Sequence, residues 1–379
     1  MYNRIINLSS SLARRSVFLL GARQTGKSTL LRSRFPTARY VNLLAADTFR
    51  QLSSAPEKLR QSLSPEDSLV VIDEVQKLPS LLDEVHLMIE SNKKLRFILT
   101  GSSARKLRRG GANLLAGRAH THYLYPLTWA ETDRSQLVSR LQFGGIPSVL
   151  DSPDPWKDLQ EYVGVYLQEE IRAESLTRSI EAFSRFLSVA GLANGEQLNF
   201  TKIGNDAQVP PRTVREFFTV LDDTLIGFQL PAFQKTLTRK AVATSKFYFF
   251  DLGVAHALQG VRELPRGTEH YGRALEHLVA TELRAYLSYS QIEEPLTYWR
   301  STSQIEVDFL VGTVLGIEVK GAGQVGERDA KGILALGEDI RLKRRIIICN
   351  ESERRTLNCG VEVYPLESFL ADLWKGEII

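Results

Sequence analysis

The sequence is poor in cysteine and contains no long hydrophobic run. Its 379 residues include two cysteines, Cys349 and Cys359, which excludes a disulfide framework and a zinc site built from cysteines. No apolar stretch approaches the roughly 18 residues that a membrane-spanning helix needs. Residues 1–16 also lack the apolar core of a signal peptide. We therefore expect a cytoplasmic, soluble protein with reduced thiols and no membrane partner.

Neither sign of charge is in large excess. The 48 Lys and Arg residues against 44 Asp and Glu residues give a formal charge of +4, which permits a nucleic-acid partner without arguing for one. The hydrophobic fraction of 43% excludes a disordered or collagen-like chain. At roughly 100–200 residues per domain, the length predicts two or three domains.

The clearest motif is a glycine-rich loop between a short apolar run and a helical pattern. The apolar run covers residues 17–20, and GARQTGKS at 21–28 fits the P-loop pattern G-x-x-x-x-G-K-[ST]. Backbone N–H groups of such a loop surround phosphate oxygens, Lys27 would reach the β- and γ-phosphates, and Ser28 would ligate Mg²⁺. We therefore predict binding of ATP with Mg²⁺. The predicted nucleotide-binding residues are Gly21, Gln24, Thr25, Gly26, Lys27, Ser28 and Thr29.

A second motif is an apolar run that ends in two carboxylates. Residues 69–72 are continuously apolar, as in a parallel strand buried on both faces, and Asp73 and Glu74 follow directly. The carboxyl ends of strands are where α/β sheets hold ligands. Asp73 is predicted to hold Mg²⁺ through water, and Glu74 to polarise the attacking water.

A third predicted strand, residues 95–99, is followed by TGSS at 100–103. In a sheet next to the Asp73 strand, Ser102 would face the γ-phosphate and the attacking water. Ser102 or Ser103 could also cap the helix that follows. Sensing and capping are compatible, and both interpretations stay open.

Strands and helical patterns alternate over residues 1–150, which predicts a doubly wound α/β domain. Here the sequence resembles the AAA+ ATPases, specifically a prokaryotic group with the pattern GSS, LAGR, PL and E after the acidic strand. The matching residues are 101–103, 115–118, 126–127 and Glu131. The resemblance implies that Arg118 reaches the nucleotide of a neighbouring subunit, in a homo-oligomer with the form of a ring such as a hexamer. Pairing of Arg118 within its own subunit is the alternative.

Helical patterns dominate residues 151–240, which begin with the proline-rich stretch 151–155. Residues 200–221 have the pattern of a helix, a tight turn and a second helix, and a strand-like segment follows at 223–231. This arrangement resembles a winged helix, a module that places its second helix in the DNA major groove. Arg212, Thr213 and Arg215 on that helix are the predicted DNA contacts. Packing against protein is the alternative use of such a module.

Residues 241–379 are predicted to fold in the order αβββαβ with extensions. This order, with Glu276 on the first helix, Asp308 on the second strand and E-x-K at 318–320, resembles the PD-(D/E)xK nuclease fold. Period-2 spacing places Glu318 and Lys320 on one face of their strand. The resemblance implies a Mg²⁺ or Mn²⁺ site formed by Glu276, Asp308, Glu318 and Lys320. A fold of this kind that serves only for DNA binding or docking is the alternative.

These motifs together suggest an ATP-hydrolysing AAA+ machine that acts on DNA. Its action would be binding, remodelling or translocation, with branched DNA among the substrates considered and a nuclease-like C-terminal domain. A second hypothesis is a nucleotide-dependent switch that recognises a protein partner, with the nuclease fold inactive.

Overall fold

The computed structural model describes residues 2–102, 115, 117–166, 180–236 and 239–379. The chain forms two compact units. The first consists mainly of Asn3–Pro126 with Val220–Ile226, and the second of Leu127–Thr219 with Gly227–Ile379. The first unit therefore ends before the predicted boundary near residue 150, and the predicted middle and C-terminal regions share the second unit.

The first unit contains a five-stranded parallel sheet in the order β2-β3-β4-β1-β5. Its strands are Ser16–Leu20 (β1), Arg39–Asn42 (β2), Leu69–Asp73 (β3), Arg96–Gly101 (β4) and Ala119–Tyr123 (β5). Val17, Ile72 and Ile98 on the three central strands are fully buried. Continuous apolar runs thus give strands covered on both faces, and the parallel sheet confirms the α/β prediction for this unit.

Short helices connect these strands. They are Ser9–Leu12 (α1), Lys27–Arg34 (α2), Ala46–Ser54 (α3), Lys58–Gln61 (α4) and Leu81–Ser91 (α5), with a 3₁₀ turn at Val75–Lys77. Because α2 starts directly after the loop that follows β1, the first turn of α2 lies at the carboxyl end of the sheet. The loops after β1, β3 and β4 therefore meet at one edge.

The second unit begins with helices. Those described are Leu137–Phe143 (α6), Pro147–Leu150 (α7), Pro155–Glu161 (α8), Ile180–Leu192 (α9), Phe200–Ala207 (α10) and Pro211–Asp223 (α11), with 3₁₀ turns at Trp129–Glu131 and Arg134–Gln136 and a π-helical stretch at Tyr162–Tyr166. Aromatic rings join α9 to α11: the ring centres of Phe186 and Phe218 lie 4.9 Å apart. Gln208, at φ 54°, makes the turn between α10 and α11.

A two-stranded antiparallel sheet follows, formed by Gly227–Leu230 (β6) and Lys246–Phe249 (β7). This pairing crosses the predicted boundary at residue 240. The segment between β6 and β7 also bridges to the next sheet, through Ala232 with Tyr298 and Ala241 with Ser301. These contacts explain why the predicted middle and C-terminal regions form one unit.

The rest of the unit contains a six-stranded sheet in the order β12-β13-β11-β10-β9-β8. Its strands are Leu296–Arg300 (β8), Glu306–Val311 (β9), Leu315–Val319 (β10), Arg344–Cys349 (β11), Arg355–Thr356 (β12) and Glu362–Pro365 (β13). The helices are Leu252–Gln259 (α12), Glu269–Tyr289 (α13), Lys331–Gly337 (α14) and Leu366–Lys375 (α15), with a 3₁₀ turn at Glu327–Ala330. The predicted element order αβββαβ is present from α13 to β11. Its assignment to the nuclease fold stays a prediction.

Helix α13 carries much of the core of this region. Val279 and Leu283 are fully buried and belong to one apolar cluster with Phe309 of β9 and Phe369 of α15. Among the helices of the described ranges, none combines the length and apolar character needed to cross a bilayer.

Candidate functional site

The P-loop folds around its own lysine. The Nζ atom of buried Lys27 donates hydrogen bonds to the carbonyl oxygens of Gly21 at 2.7 Å and Ala22 at 2.9 Å. A Cβ atom at Gly21 would lie 2.4 Å from the carbonyl oxygen of Leu124, so a side chain does not fit there. Gly26 has a φ of 90°, which glycine adopts without strain. This loop has the shape and the ammonium group that a nucleotide phosphate requires.

The other predicted loop residues surround this centre. Thr25 is fully buried and donates from Oγ1 to the carbonyl oxygen of Ala22 at 2.9 Å. Gln24 at the tip of the loop and Thr29 in the first turn of α2 are exposed. The buried threonine stabilises the loop, while Gln24 and Thr29 lie at its surface.

Asp73 is the centre of a hydroxyl cluster at the end of β3. It is 3% exposed and accepts hydrogen bonds from Ser28 Oγ at 2.8 Å, Tyr40 OH at 2.6 Å and Thr100 Oγ1 at 2.5 Å. Burial, and next the carboxylate of Asp73, raise the pKa of Tyr40, so its phenol remains a donor. The Ser28 hydroxyl and the Asp73 carboxylate are oxygen ligands of the kind that Mg²⁺ prefers. The residues present therefore fit a nucleotide-bound Mg²⁺.

Glu74 and Ser102 are held in place by a glutamine. Gln76 Nε2 donates to Glu74 Oε2 at 2.5 Å and to Ser102 Oγ at 3.1 Å. The Glu74 amide donates to Thr100 Oγ1 at 3.1 Å, and Glu74 has a left-handed φ of 62°. The structure thus brings Ser102 next to the predicted water-polarising carboxylate. Ser103 and the helix that Ser102 was expected to cap lie outside the described residues.

Arg118 pairs within its own chain. Its Nε atom lies 2.6 Å from Glu90 Oε1 of α5, and the side chains are 37% and 45% exposed. The hydrogen bond from Arg118 is the main cause that lowers the pKa of Glu90. Exposed pairs of this kind contribute little to stability, so a stronger anion can replace Glu90. The role of Arg118 in a neighbouring subunit stays a prediction.

Tyr40, Gln76 and Arg4 were missed by the sequence reasoning. Parallel pairing of β2 with β3 aligns Asn42 with Asp73. Tyr40 lies two residues before Asn42 and so shares its face of the strand, which is the signal that could have identified it. Arg4 donates to the carbonyl oxygens of Thr25 at 3.1 Å and Tyr125 at 2.5 Å, and so ties the P-loop to the segment after β5. No sequence pattern around Arg4 signals this contact.

A second group of charged side chains is buried in the second unit. Lys246, 4% exposed, places its Nζ atom 2.9 Å from Glu276 Oε1 and 2.5 Å from Glu306 Oε1. Tyr248 donates to the same Glu276 oxygen at 2.6 Å. Burial acts to lower the pKa of Lys246, but the surrounding acidic groups outweigh it and raise that pKa well above its usual value. Burial acts to raise the pKa of Glu276, but the neighbouring Lys246 outweighs burial, and the pKa lies below its usual value.

The remaining predicted residues of the C-terminal site lie beside this pair. Asp308 accepts a hydrogen bond from the Val319 amide at 2.8 Å, and Glu318 Oε2 lies 3.0 Å from Lys320 Nζ. Burial, and next the charge of Glu276, raise the pKa of Asp308 to about 6. Burial, and next Asp308, raise the pKa of Glu318 well above its usual value. Glu276, Asp308, Glu318 and Lys320 are thus electrostatic neighbours, and their role as a metal site stays a prediction.

This arrangement does not fit a divalent cation as it stands. An ammonium group already neutralises Glu276, and a second one neutralises Glu318. Within the described ranges, no three His, Cys, Asp or Glu side chains form a group that could hold a metal ion. The sequence reasoning missed Lys246, although Lys246 and Tyr248 alternate along one strand and so share a face.

The predicted DNA contacts lie at the start of α11. Arg212 is 92% exposed, and its Nε atom is 3.5 Å from Glu216 Oε1 one turn later. Arg215 is also exposed, and its guanidinium carbon lies 5.0 Å from the centre of the Phe200 ring. Thr213 is half-buried. Two cationic side chains of this helix therefore reach solvent.

Three family models match the chain, and the one that overlaps the first unit describes an AAA domain. Residues 13–132 match the AAA domain model, residues 134–264 match a domain of unknown function (DUF8612), and residues 271–369 match another domain of unknown function (DUF4143). The chain therefore carries a P-loop ATPase domain of the AAA type, the class of domain that binds and hydrolyses ATP. ATP, most often with Mg²⁺, is its cofactor.

The relatives that match most of the chain are distant. Uncharacterized proteins of Mycobacterium bovis and Mycobacterium tuberculosis are each 25% identical over 93% of this chain and 80% of their own length. An uncharacterized protein of Haemophilus influenzae is 23% identical over 69% of this chain and 72% of its own.

Solved structures also match at a distance. A signal transduction ATPase with numerous domains and a tetratricopeptide repeat sensor, from Pyrococcus horikoshii, is 16% identical over 75% of this chain, with a TM-score of 0.25. This chain spans about half of that protein, 47% of its length. The Pif1 helicase of Candida albicans is 11% identical over 97% of both chains, with a TM-score of 0.23.

Proposed function

We propose that this protein is an ATP-hydrolysing AAA machine that acts on DNA through helix α11. The ATP-hydrolysing part of this proposal follows from the AAA domain. The DNA-binding part rests on one observation. Arg212 and Arg215 project from the start of the second helix of a helix-turn-helix that is followed by a strand pair. Such helices place their first residues against DNA base edges and phosphates.

In the proposed hydrolysis, Lys27 turns from the carbonyl groups of Gly21 and Ala22 to the β- and γ-phosphates. Glu74, directed by Gln76, orients the attacking water, and Ser102 lies where it can contact the γ-phosphate or that water. Ser28 and Asp73 would hold Mg²⁺, which neutralises phosphate charge when bound. Each of these roles is performed by a residue at the carboxyl edge of one sheet.

We also propose that hydrolysis depends on assembly. Arg118 pairs with an exposed carboxylate, that of Glu90. A γ-phosphate presented by a neighbouring subunit carries more charge and would compete for the guanidinium. A ring such as a hexamer would supply that neighbour, with Arg118 stabilising transition-state charge in trans.

For the C-terminal domain we propose a docking role rather than DNA cleavage, since the proposed DNA contacts lie on α11. The observations that favour this interpretation are the ion pairs of Lys246 with Glu276 and of Lys320 with Glu318, in which protein ammonium groups occupy two of the three carboxylates predicted to bind Mg²⁺ or Mn²⁺. The nuclease prediction is tested by incubating DNA with Mn²⁺ and the wild-type protein. Cleavage that disappears in Glu318→Ala and Lys320→Ala would establish a nuclease.

Direct DNA binding tests the proposal. Labelled single-stranded, duplex and four-way-junction DNA are titrated with wild-type protein and with the double variant Arg212→Glu and Arg215→Glu at about 0.15 M salt. A control double variant, Arg328→Glu and Lys331→Glu, makes the same charge change at exposed positions outside this helix. We expect the first variant to weaken binding at least about tenfold, since charge reversal removes phosphate contacts. The control should bind like the wild type.

Failure of the wild-type protein to bind any of these DNA forms would overturn the DNA half of the proposal. ATP hydrolysis that still depends on Lys27 would then favour a nucleotide-dependent switch that recognises a protein partner. In that case α11 packs against protein.

A further inference from the structure

A groove with basic walls lies beside the helix-turn-helix of the second unit. Its volume is about 1290 Å³, which exceeds the roughly 300–1,000 Å³ of sites for small ligands. Its lining includes residues of α9, α10, the start of α11, α13 and β8. The side chains that matter here are Phe200, Lys202, Arg212, Arg215, Arg273 and Arg300.

The charge of the groove favours an anionic occupant. Of its lining residues, five are Lys or Arg and two, Glu196 and Asp206, are acidic. Arg273 is 40% exposed and pairs with Glu196 at 2.9 Å and with Glu269 at 2.7 Å, two carboxylates that are themselves at least half exposed. An exposed ion pair contributes little free energy, so a phosphate can replace either carboxylate.

One face of the groove suits a nucleic-acid base. The Arg215 guanidinium lies over the Phe200 ring at 5.0 Å, and both side chains line the groove. Aromatic rings and guanidinium groups are the surfaces on which unpaired bases stack. An acidic peptide would use the cations but has no base to place on this face.

We propose that this groove binds a single strand of DNA. A base would stack on the Arg215 guanidinium, which the Phe200 ring supports, and the phosphates would contact Lys202 and Arg273. The inference rests on the proposed DNA function and names the form of DNA that this site takes. A duplex bound at Arg212 and a strand held in the groove would be the two parts of a branched or partly single-stranded substrate.

Anisotropy titrations with a labelled single strand and with a blunt duplex of the same sequence test the groove. Arg273→Glu should weaken single-strand binding about tenfold. It should also reduce the slope of log affinity against log salt by about 0.7 for each phosphate that is no longer neutralised. Binding of the blunt duplex should change by less than about twofold, because Arg273 belongs to α13 and not to α11, the helix proposed to contact the duplex. The control Arg328→Glu, exposed and outside the groove, should leave both affinities unchanged.

Arg273→Glu also breaks the ion pairs of Arg273, so a second variant that changes no charge is needed. Phe200→Leu keeps an apolar side chain next to Phe218, whose ring centre is 6.0 Å away, but removes the ring that supports the Arg215 guanidinium. It should weaken single-strand binding at least about fivefold. Melting temperatures near that of the wild type show that both variants are folded.

If Arg273→Glu and Phe200→Leu bind the single strand as tightly as the control Arg328→Glu does, the proposal that the groove binds single-stranded DNA is wrong. Duplex binding that still requires Arg212 would in that case leave the proposed function standing. Displacement of the strand by polyglutamate as efficiently as by unlabelled DNA of equal charge would also overturn it, in favour of an acidic protein segment. Absence of binding to every DNA form overturns the proposed function itself.

Discussion

Buried Lys246 and partly buried Glu276 form an ion pair, with 2.9 Å between Nζ and Oε1, in the place where the sequence predicts a metal site. The same ammonium lies 2.5 Å from Glu306, so one lysine serves two carboxylates. A lysine in this position supplies the positive charge that a divalent cation would otherwise bring. Lys246 and Lys320 therefore pair with carboxylates of the C-terminal cluster, while Asp308 accepts a backbone hydrogen bond.

This pairing predicts a measurable cost for removing the lysine alone. Lys246→Met should lower the free energy of unfolding by about 1–3 kcal/mol, because two partly buried carboxylates each lose one partner. Glu276 keeps Tyr248, and Glu306 keeps Arg300. Adding Glu276→Gln should recover part of that stability. Urea unfolding of the single and double variants measures both values. A Lys246→Met protein as stable as the wild type would contradict this pairing.

Gln76 should control catalysis through Glu74. Gln76→Leu removes the hydrogen bonds to Glu74 and Ser102, so we expect kcat to fall about tenfold or more with little change in KM for ATP. Glu74→Gln is the reference, since it should retain ATP binding and lower kcat at least about a hundredfold. Steady-state hydrolysis with a nucleotide-binding titration separates the two parameters. An unchanged kcat in Gln76→Leu would remove its positioning role.

Arg118 should act on the nucleotide of a neighbour. Arg118→Ala is expected to bind ATP normally and to turn it over slowly. Mixing it with Lys27→Ala protein, which cannot hydrolyse ATP itself, should restore part of the activity, because the second protein supplies an intact Arg118. Glu90→Ala is the matched control, since it breaks the intrachain pair and leaves the arginine. No recovery in the mixture would place Arg118 in its own subunit.

The buried His277 should make the free energy of unfolding depend on pH. Its Nε2 atom is 2.7 Å from the Phe249 carbonyl oxygen, Nδ1 is 3.2 Å from Asn194 Nδ2, and burial lowers its pKa to about 3. An unfolded histidine titrates near pH 6.5. As the pH falls from about 6.5 towards 3, the unfolded chain takes up a proton that the folded chain does not, and stability falls by roughly one kcal/mol per pH unit.

The measurement is the free energy of unfolding of wild-type protein and of His277→Gln as a function of pH. The difference between the two is needed because Asp251 and Asp308, whose burial raises each pKa to about 6, contribute with the opposite sign. Those carboxyls are protonated first in the folded chain and so favour folding as the pH falls to about 4. A difference that stays constant between pH 7 and pH 4 would contradict a buried, neutral His277.

Local patterns in the sequence predicted most of the elements that position the site. The apolar runs at β1 and β3, the loop at 21–28 and the carboxylates after β3 are each encoded within a few consecutive residues. Period-2 spacing likewise placed Glu318 next to Lys320. Such signals depend only on neighbouring residues and on backbone geometry.

The contacts that the sequence did not reveal join residues far apart along the chain. Arg4 reaches Tyr125, and Lys246 reaches Glu276 and Glu306. Each contact depends on how strands and helices pack, which the periodicity of one segment does not determine. The same reason accounts for the domain boundaries, since β6 and β7 pair across the predicted division at 240.

Coupling between DNA and ATP hydrolysis tests the central claim most directly. Steady-state ATP hydrolysis by the purified protein is measured without DNA and with single-stranded, duplex and four-way-junction DNA, with Lys27→Ala as the blank. We expect hydrolysis to require Lys27 and to rise with at least one DNA form, and the rise to disappear in the double variant Arg212→Glu and Arg215→Glu. Hydrolysis that requires Lys27 but proceeds at one rate under all four conditions would contradict a DNA-directed machine.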